Sequence, residues 1–260
     1  MRLDLFLTEQ GYAQSRQRAK SMIESGSVEI DGVVIKKPSF CVTEGIHAVN
    51  VKDPLIYVSR GGLKLEAALD AFSIDPSGLC AVDIGASTGG FTDCLLQRGA
   101  RRVYAVDAGE KQLAKKLCED GRVISFEHMN ARSMTPEDIG GTVELAVMDV
   151  SFISSTYIIP CIPALLGGKG TFVSLIKPQF EVGRSMLGKG GIVKDPAAHL
   201  AAIMRVYECA SSCGFSMSGL ILSPIAGGDG NREFLACFDL GVTPATPMTP
   251  LDIRAFLKGI

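Results

Sequence analysis

Apolar and polar positions follow one rhythm up to about residue 57 and another beyond it. Over residues 3–7 the apolar positions recur at helical spacing, and a second helix is expected from its N-cap Ser15 to Gly26. Two short apolar runs then flank Asp31-Gly32, a turn signal typical of a β-hairpin. This pattern predicts a small α+β domain over residues 1–57.

The stretch over residues 58–242 instead alternates buried strands with amphipathic helices. The predicted strands cover 80–84, 102–107, 123–126, 143–148, 171–176, 215–222 and 234–240. Helices are expected over 91–98, 111–118 and 197–213. Such alternation is typical of an α/β fold with a doubly wound, mostly parallel sheet, which binds ligands at the carboxyl ends of its strands. Residues 243–260 form a tail with a short helix expected from Leu251 to Lys258, capped by Thr249.

Composition narrows the functional classes. The 260 residues are 47% hydrophobic and 21% charged, which is ordinary for a globular protein, and the net charge of −2 leaves nucleic-acid binding to a local patch. The eight cysteines form no CxxC pair, so we expect free thiols and no metal site. We see neither a secretion signal nor a stretch long enough to span a bilayer, so we expect a cytoplasmic protein without a membrane partner.

A glycine-rich loop joins the first predicted strand of the larger domain to its helix. The candidate cofactor contacts in this loop are Asp83, Gly85, Ser87, Gly89, Gly90 and Phe91. The glycines allow a ligand to approach the backbone, and Asp107 at the end of the next strand can accept from ribose hydroxyls. The spacing differs from GxGxxG, and an acidic residue before the loop suits a cationic group such as the amino group of S-adenosylmethionine. A dinucleotide and a plain strand–turn–helix remain the alternatives.

Four further charged residues lie in constrained settings far apart in the sequence. They are Lys64, Asp149, Lys177 and Glu233. If they converge at the rim of one sheet, mutual pairing is needed to offset desolvation, and such clusters tend to be catalytic. Three of them have a plainer alternative, because Lys64 could be a solvated helix residue, Asp149 a helix N-cap, and Glu233 an edge-strand charge.

Several sequence strings together resemble the bacterial hemolysin A (TlyA-type) family, which joins an S4-type RNA-binding domain to an FtsJ-like methyltransferase. The strings that carry the resemblance are Ser15-Arg16 through Gly26, 57–65, 83–91, 149–153, 177–181 and 230–234. The resemblance ends near Leu240. It implies a Rossmann-like, mostly parallel seven-stranded sheet, S-adenosylmethionine as cofactor, and methylation of a ribose 2′-hydroxyl in ribosomal RNA or a ribosomal subunit.

The resemblance also implies roles for the four charged residues, as a Lys-Asp-Lys-Glu tetrad. A ribose hydroxyl needs a base, and a lysine with the ordinary pKa of about 10.4 must be buried or placed near a second ammonium to serve. Lys177 is therefore the expected base, with Asp149 orienting its amine and contacting the cofactor, and with Glu233 holding Lys64. The adenine ring is expected near Asn130.

The candidate RNA-binding residues are also basic side chains of the first domain and its border. They are Arg2, Arg16, Arg18, Lys20, Lys36, Lys37 and Arg60. A solvated helix face is the alternative for this set. The glycine-rich stretch 181–195 is expected to be either a lid over RNA or a plain loop. Two rival functions stay open: a non-catalytic RNA-binding assembly factor, and a cytolysin, which the family name suggests.

Overall fold

The computed structural model describes residues 1–13, 16–42, 48–51, 56–227 and 230–260, and the chain divides into two compact units, Met1–Ile56 and Tyr57–Ile260. The first unit contains helices α1 (Leu3–Glu9) and α2 (Arg16–Glu24) and strands β1 (Val28–Ile30), β2 (Val33–Val34) and β3 (Val49–Val51). Its antiparallel sheet has the order β2-β1-β3. The expected helices and hairpin are therefore present, while the Ser15 cap lies outside the described residues.

The second unit is built on one seven-stranded sheet. Its strands are β4 (Cys80–Ile84), β5 (Arg102–Val106), β6 (Val123–Phe126), β7 (Leu145–Met148), β8 (Gly170–Ile176), β9 (Phe215–Leu222) and β10 (Phe234–Leu240). The order is β6-β5-β4-β7-β8-β10-β9, with β10 antiparallel to both of its neighbours and the other pairs parallel. This confirms the α/β, mostly parallel methyltransferase-type sheet. The strand order reverses at β4 and β7, where such sheets bind ligands.

Helices cover both faces of this sheet because side chains alternate along each strand. The helices are α3 (Gly61–Ala71), α4 (Gly90–Gln97), α5 (Lys115–Cys118), α6 (Ile162–Leu165), α7 (Pro178–Glu181), α8 (Pro196–Ser212) and α9 (Pro250–Lys258). In β8, for example, Phe172 and Ile176 join the core cluster that includes α8, whereas Val173 and Leu175 join the cluster that includes α3 and α4. The sheet is thus buried on both sides, and its carboxyl-terminal rim remains for the site.

One expectation from the sequence needs adjustment. The helix expected over 111–118 begins only at Lys115, because Lys111 has a left-handed backbone (φ 52°) that interrupts a helix. The helix of the tail is confirmed, and the Thr249–Asp252 capping box begins it. Within the described ranges, no helix is long and apolar enough to cross a membrane.

Candidate active site at the sheet rim

Lys177 and Asp149 meet because they follow neighbouring parallel strands. Asp149 comes directly after β7 and Lys177 directly after β8, and parallel pairing brings both strand ends to the same rim. Lys177 Nζ lies 2.5 Å from Asp149 Oδ1 and donates to Ser151 Oγ at 2.8 Å. Only 11% of the Lys177 side chain and 21% of the Asp149 side chain are exposed, so the ion pair is largely desolvated.

Lys64 and Glu233 form a second ion pair at the same rim. Glu233 immediately precedes β10, which runs antiparallel to β8 so that Phe234 pairs with Ile176 and Glu233 arrives beside the end of β8. Lys64 Nζ lies 2.5 Å from Glu233 Oε2, and the side chains are 10% and 3% exposed. An antiparallel strand between β8 and β9 therefore brings a residue from its start to the carboxyl-terminal rim of the sheet.

The plainer alternatives for three of these residues are wrong. Lys64 belongs to α3 but is buried rather than solvated. Glu233 is no edge-strand charge, since β10 lies inside the sheet. The turn that follows Asp149 is capped by Ser154, whose hydroxyl accepts from the Thr156 N–H.

A cavity of about 280 Å³ lies in front of the two ion pairs. Lys64, Asp149 and Lys177 line it, whereas Glu233 adjoins it only through its bond to Lys64. The two ion pairs carry no net charge, which lowers the cost of desolvating the cluster. Arg60, expected to contact RNA, also lines this cavity and is exposed.

Asp83 supplies an additional buried carboxylate to the cavity wall. Its Oδ2 accepts from the N–H and the hydroxyl of Thr92 at 2.9 and 2.7 Å, but its Oδ1 has no hydrogen-bond partner in the described part of the chain. Burial raises the pKa of Asp83 to about 7; the bonds from Thr92 oppose this rise, and the nearby charge of Asp149 adds to it. An unpaired buried carboxylate oxygen fits a cationic group of a ligand.

The glycine loop brings its backbone close to the end of β7. Gly85 has φ 84°, and a Cβ at this position would lie 2.5 Å from the Asp149 carbonyl oxygen. Gly89 has φ 90° and lies at the N-cap of α4. Ser87, Gly90 and Phe91 all line the cavity of about 280 Å³. Gly89 lines neither this cavity nor a larger one that adjoins it. Gly89 is therefore placed to shape the turn rather than to touch a ligand.

A second cavity of about 470 Å³ adjoins the first and shares Gly85, Ser87, Asp149 and Ser151 with it. Asp107 and Asn130 line this second cavity. Asp107 accepts from the N–H groups of Ser87 and Gly109, both at 2.7 Å, which fixes its carboxylate. The amide oxygen of Asn130 caps the turn by accepting from the Arg132 N–H, so its Nδ2 group is left as the donor for a ligand.

Phe152 is a residue of this site that the sequence interpretation missed. Its ring is 92% exposed, its backbone is left-handed (φ 64°), and it lies 5.3 Å from the ring of Phe180. It lines the larger cavity three residues after Asp149. A bulky residue with positive φ and an exposed ring is typical of a functional position. The available sequence signal was an aromatic residue directly after the loop that carries Asp149.

Glu181 is a second missed residue. It is 4% exposed, and its carboxylate accepts from Ser155 N and Ser155 Oγ at 2.8 Å and from Ser154 Oγ at 2.5 Å. These bonds join the segment after β7 to the segment after β8, the same two segments that the Lys177–Asp149 pair joins. Glu181 therefore helps to fix the position of Lys177 relative to Asp149.

The expected lid has defined contacts at one end. Asn231 is buried, and its amide accepts from Val193 N at 2.8 Å and donates to Gly191 O at 3.2 Å. The glycine-rich stretch is thus bonded to the segment that carries Glu233. Closure of this stretch over RNA stays a prediction.

The basic residues of the first unit are only partly free for RNA. Arg2 and Arg16 both bind the fully buried Asp4, each with an Nε–oxygen distance of 2.9 Å. The hydrogen bonds from Arg2 and then Arg16 hold the pKa of the Asp4 carboxyl far below its ordinary value, against the effect of burial. The lysines at 20, 36 and 37 are exposed. The side chain of Arg18 lies outside the described residues.

The described residues hold no cluster of His, Cys, Asp or Glu side chains that could bind a metal ion. The site therefore consists of two ion pairs, one unpaired carboxylate oxygen, and two adjoining cavities.

Comparison with known proteins agrees with this arrangement. The FtsJ-like methyltransferase family matches residues 57–240, and the S4 domain matches residues 1–45. The chain is 43% identical over 234 residues to the 16S/23S rRNA (cytidine-2'-O)-methyltransferase TlyA of Mycobacterium tuberculosis, covering 90% of the chain and 87% of that relative. It is 42% identical over 242 residues to Hemolysin A of Brachyspira hyodysenteriae, covering 92% and 99%. A solved structure of a Streptococcus thermophilus protein named as a hemolysin superposes with a TM-score of 0.79 at 41% identity, covering 100% of this chain and 94% of that one. The chain therefore belongs to the FtsJ-like methyltransferase family, in the TlyA and hemolysin A group that carries an S4 domain, and it is an enzyme.

Proposed function

We propose that this enzyme transfers a methyl group from S-adenosylmethionine to a ribose 2′-hydroxyl of ribosomal RNA in the cytoplasm. Residues 1–57 bind the RNA, residues 58–242 carry out catalysis, and 243–260 form a tail. The observation that carries the proposal is the pair of desolvated ion pairs, Lys177–Asp149 and Lys64–Glu233, beside a cavity with an unpaired carboxylate. The name of the Mycobacterium tuberculosis relative, a cytidine-2'-O-methyltransferase of rRNA, supports the choice of substrate.

The two adjoining cavities suit the cofactor. The amino group of the cofactor is cationic, and the unpaired Oδ1 of Asp83 in the cavity wall can serve as its anionic partner. Asp107, held by two backbone N–H groups, can accept from the ribose hydroxyls, and the Nδ2 group of Asn130 can donate to the adenine ring. When bound, S-adenosylmethionine would supply a methyl group whose bond to a positively charged sulfur can break as an O–C bond forms, which would leave a neutral thioether.

The protein's own contribution is deprotonation and alignment. The Lys177 amine takes the proton of the 2′-hydroxyl, so that an O–H bond breaks and an N–H bond forms, while Asp149 holds this amine in place. Glu233 holds Lys64, whose ammonium can stabilise the negative charge that develops on the ribose oxygen. The exposed ring of Phe152 offers a surface on which the base of the target nucleotide can stack.

The test is methylation of ribosomal RNA by the Lys177→Ala variant. Ribosomal subunits and free RNA from cells that lack the protein are incubated with labelled cofactor, and the position of 2′-O-methylation is mapped. We expect no methyl transfer but unchanged cofactor binding in calorimetry, whereas Lys169→Ala, which alters an exposed lysine at the other end of β8, stays active.

Near-normal single turnover by Lys177→Ala would contradict the assignment of the base. A wild-type protein that binds RNA but never transfers a methyl group would instead indicate a non-catalytic assembly factor.

A further inference from the structure

Ser151 touches the proposed base but has no role in the scheme above. Its hydroxyl accepts a hydrogen bond from Lys177 Nζ at 2.8 Å, and the same nitrogen lies 2.5 Å from Asp149 Oδ1. Ser151 lines both cavities, so it stands where the cofactor side and the catalytic side of the site meet.

The chemistry of a neutral amine gives this contact a consequence. A lysine that acts as a base must be uncharged, and an uncharged amine has two N–H donors and one lone pair in a tetrahedral arrangement. Ser151 Oγ accepts one of these N–H groups, whereas Asp149 Oδ1 is an ion-pair partner of the amine that receives no well-directed hydrogen bond from it. The directional bond to Ser151 limits rotation about the Cε–Nζ bond and so restricts the directions open to the lone pair. With Asp149 alone, the ion pair would hold the amine nearby without fixing the direction of its lone pair.

The loop that carries Ser151 is held firmly enough for such a role. Four residues further along this segment, Ser155 donates from both its N–H and its hydroxyl to the buried Glu181 carboxylate, which follows Lys177 by four residues. The two segments that carry donor and acceptor are therefore joined at two places, and the Ser151–Lys177 distance is fixed from both sides.

We infer that Ser151 is a positioning residue that directs the lone pair of the Lys177 amine toward the substrate hydroxyl. This inference rests on the proposed function of Lys177 as the base. A hydroxyl acceptor also stabilises an ammonium more than an amine, because a hydrogen bond from a charged donor is stronger. Loss of the hydroxyl should therefore leave more of the Lys177 amine uncharged at a given pH, yet aim it less well.

These two effects make a distinctive kinetic prediction for Ser151→Ala. We expect kcat on the high-pH plateau to fall about threefold to tenfold, the range that one hydrogen bond provides. The acid limb of the pH–rate profile should at the same time move to lower pH, and KM for RNA should stay unchanged. Ser151→Thr keeps the hydroxyl and should restore both the plateau and the limb. Ser211→Ala, at an exposed serine of α8, is the matched control.

The charged groups around the base are the same in all these variants. Arg60, Lys64, Asp83 and Asp149 line the same cavity, and Glu233 is bonded to Lys64. A shift of the limb in Ser151→Ala that is absent in Ser151→Thr therefore reports the hydroxyl. An unchanged limb, or a Thr variant as slow as the Ala variant, would overturn the inference and leave the proposed function intact.

A second measurement needs no methyl transfer at all. Trace acetylation of the full-length protein with acetic anhydride, followed by mass spectrometry of the Lys177 peptide, gives the reactivity of this amine against pH. We expect the Ser151→Ala amine to become reactive at lower pH than the wild-type amine, and the Ser151→Thr amine to match the wild type. Identical curves for wild type and Ser151→Ala would refute the contact even if the protein proved not to be a methyltransferase.

Discussion

Replacing Gly85 by alanine should damage the cofactor loop and the catalytic pair together. Gly85 has φ 84°, and a Cβ there would lie 2.5 Å from the carbonyl oxygen of Asp149 and 3.0 Å from a methyl group of Val150. The Asp149 N–H donates to Ile84 O at 3.0 Å, so the backbone of Asp149 is tied to the strand that precedes the loop. The loop that carries Gly85 and the segment that carries Asp149 must therefore move apart to make room for the alanine side chain.

A second glycine, Gly78, serves as a control that separates the cost of backbone strain from the cost of the close contact at Gly85. Gly78 has nearly the same backbone conformation, φ 75°, but a Cβ there would meet no atom within 4 Å. Both variants incur the left-handed strain of about 1–2 kcal/mol. Only Gly85→Ala incurs an additional overpacking cost of about 1–3 kcal/mol. A backbone shift of about 1 Å at Asp149 should also lower kcat about 100-fold, because the base loses its alignment.

The comparison needs urea unfolding of both variants and single-turnover methylation at saturating cofactor. We expect Gly85→Ala to be clearly less stable than Gly78→Ala and to bind the cofactor more weakly, while Gly78→Ala keeps wild-type activity. If Gly85→Ala matched Gly78→Ala in stability and stayed within threefold of its rate, the close approach between the loop and Asp149 would be refuted.

Three further predictions concern single side chains. Because burial raises the pKa of Asp83 to about 7, cofactor affinity should rise on the order of tenfold between pH 5.5 and 7 as this carboxyl ionises, and calorimetry of Asp83→Asn should show weak binding without that rise. Glu181→Ala leaves three buried donor groups without their charged acceptor, so the free energy of unfolding should fall by about 3 kcal/mol, whereas the exposed Glu208→Ala should have no measurable effect. Phe152→Ala should raise KM for RNA about tenfold through lost stacking, with Phe152→Tyr close to wild type and cofactor affinity equal in both; an unchanged KM in Phe152→Ala would exclude the stacking role.

The sheet was predictable because its strands are short apolar runs, and burial on both faces leaves little room for another arrangement. The Lys177–Asp149 pair followed from the same logic, since both residues end neighbouring parallel strands. The contact between Lys64 and Glu233 was expected from the family resemblance and does not follow from the order of the strands. It depends on the placement of α3, where Gly62 packs so closely on Tyr57 that a Cβ would overlap the ring.

The residues that sequence reasoning missed depend on local backbone geometry rather than on periodicity. Phe152 and Lys111 both have positive φ, which cannot be predicted from either residue type. Glu181 carries an ordinary charged side chain in the sequence, and only the fold shows that three donor groups surround it. Patterns of apolar residues determine where strands lie, whereas loop conformation determines which side chains at their ends meet.

The Asp4 carboxylate between Arg2 and Arg16 changes the salt dependence that should be expected for RNA binding by the first unit. The salt dependence of RNA affinity reports the number of counterions released, with a logarithmic slope of about −0.7 for each phosphate neutralised on a single strand. Two guanidinium groups that share one buried carboxylate carry a net charge of one, not two. The slope should therefore report fewer neutralised phosphates than there are basic residues on this surface. Replacing Asp4 by asparagine should make the slope steeper by the amount expected for about one more neutralised phosphate.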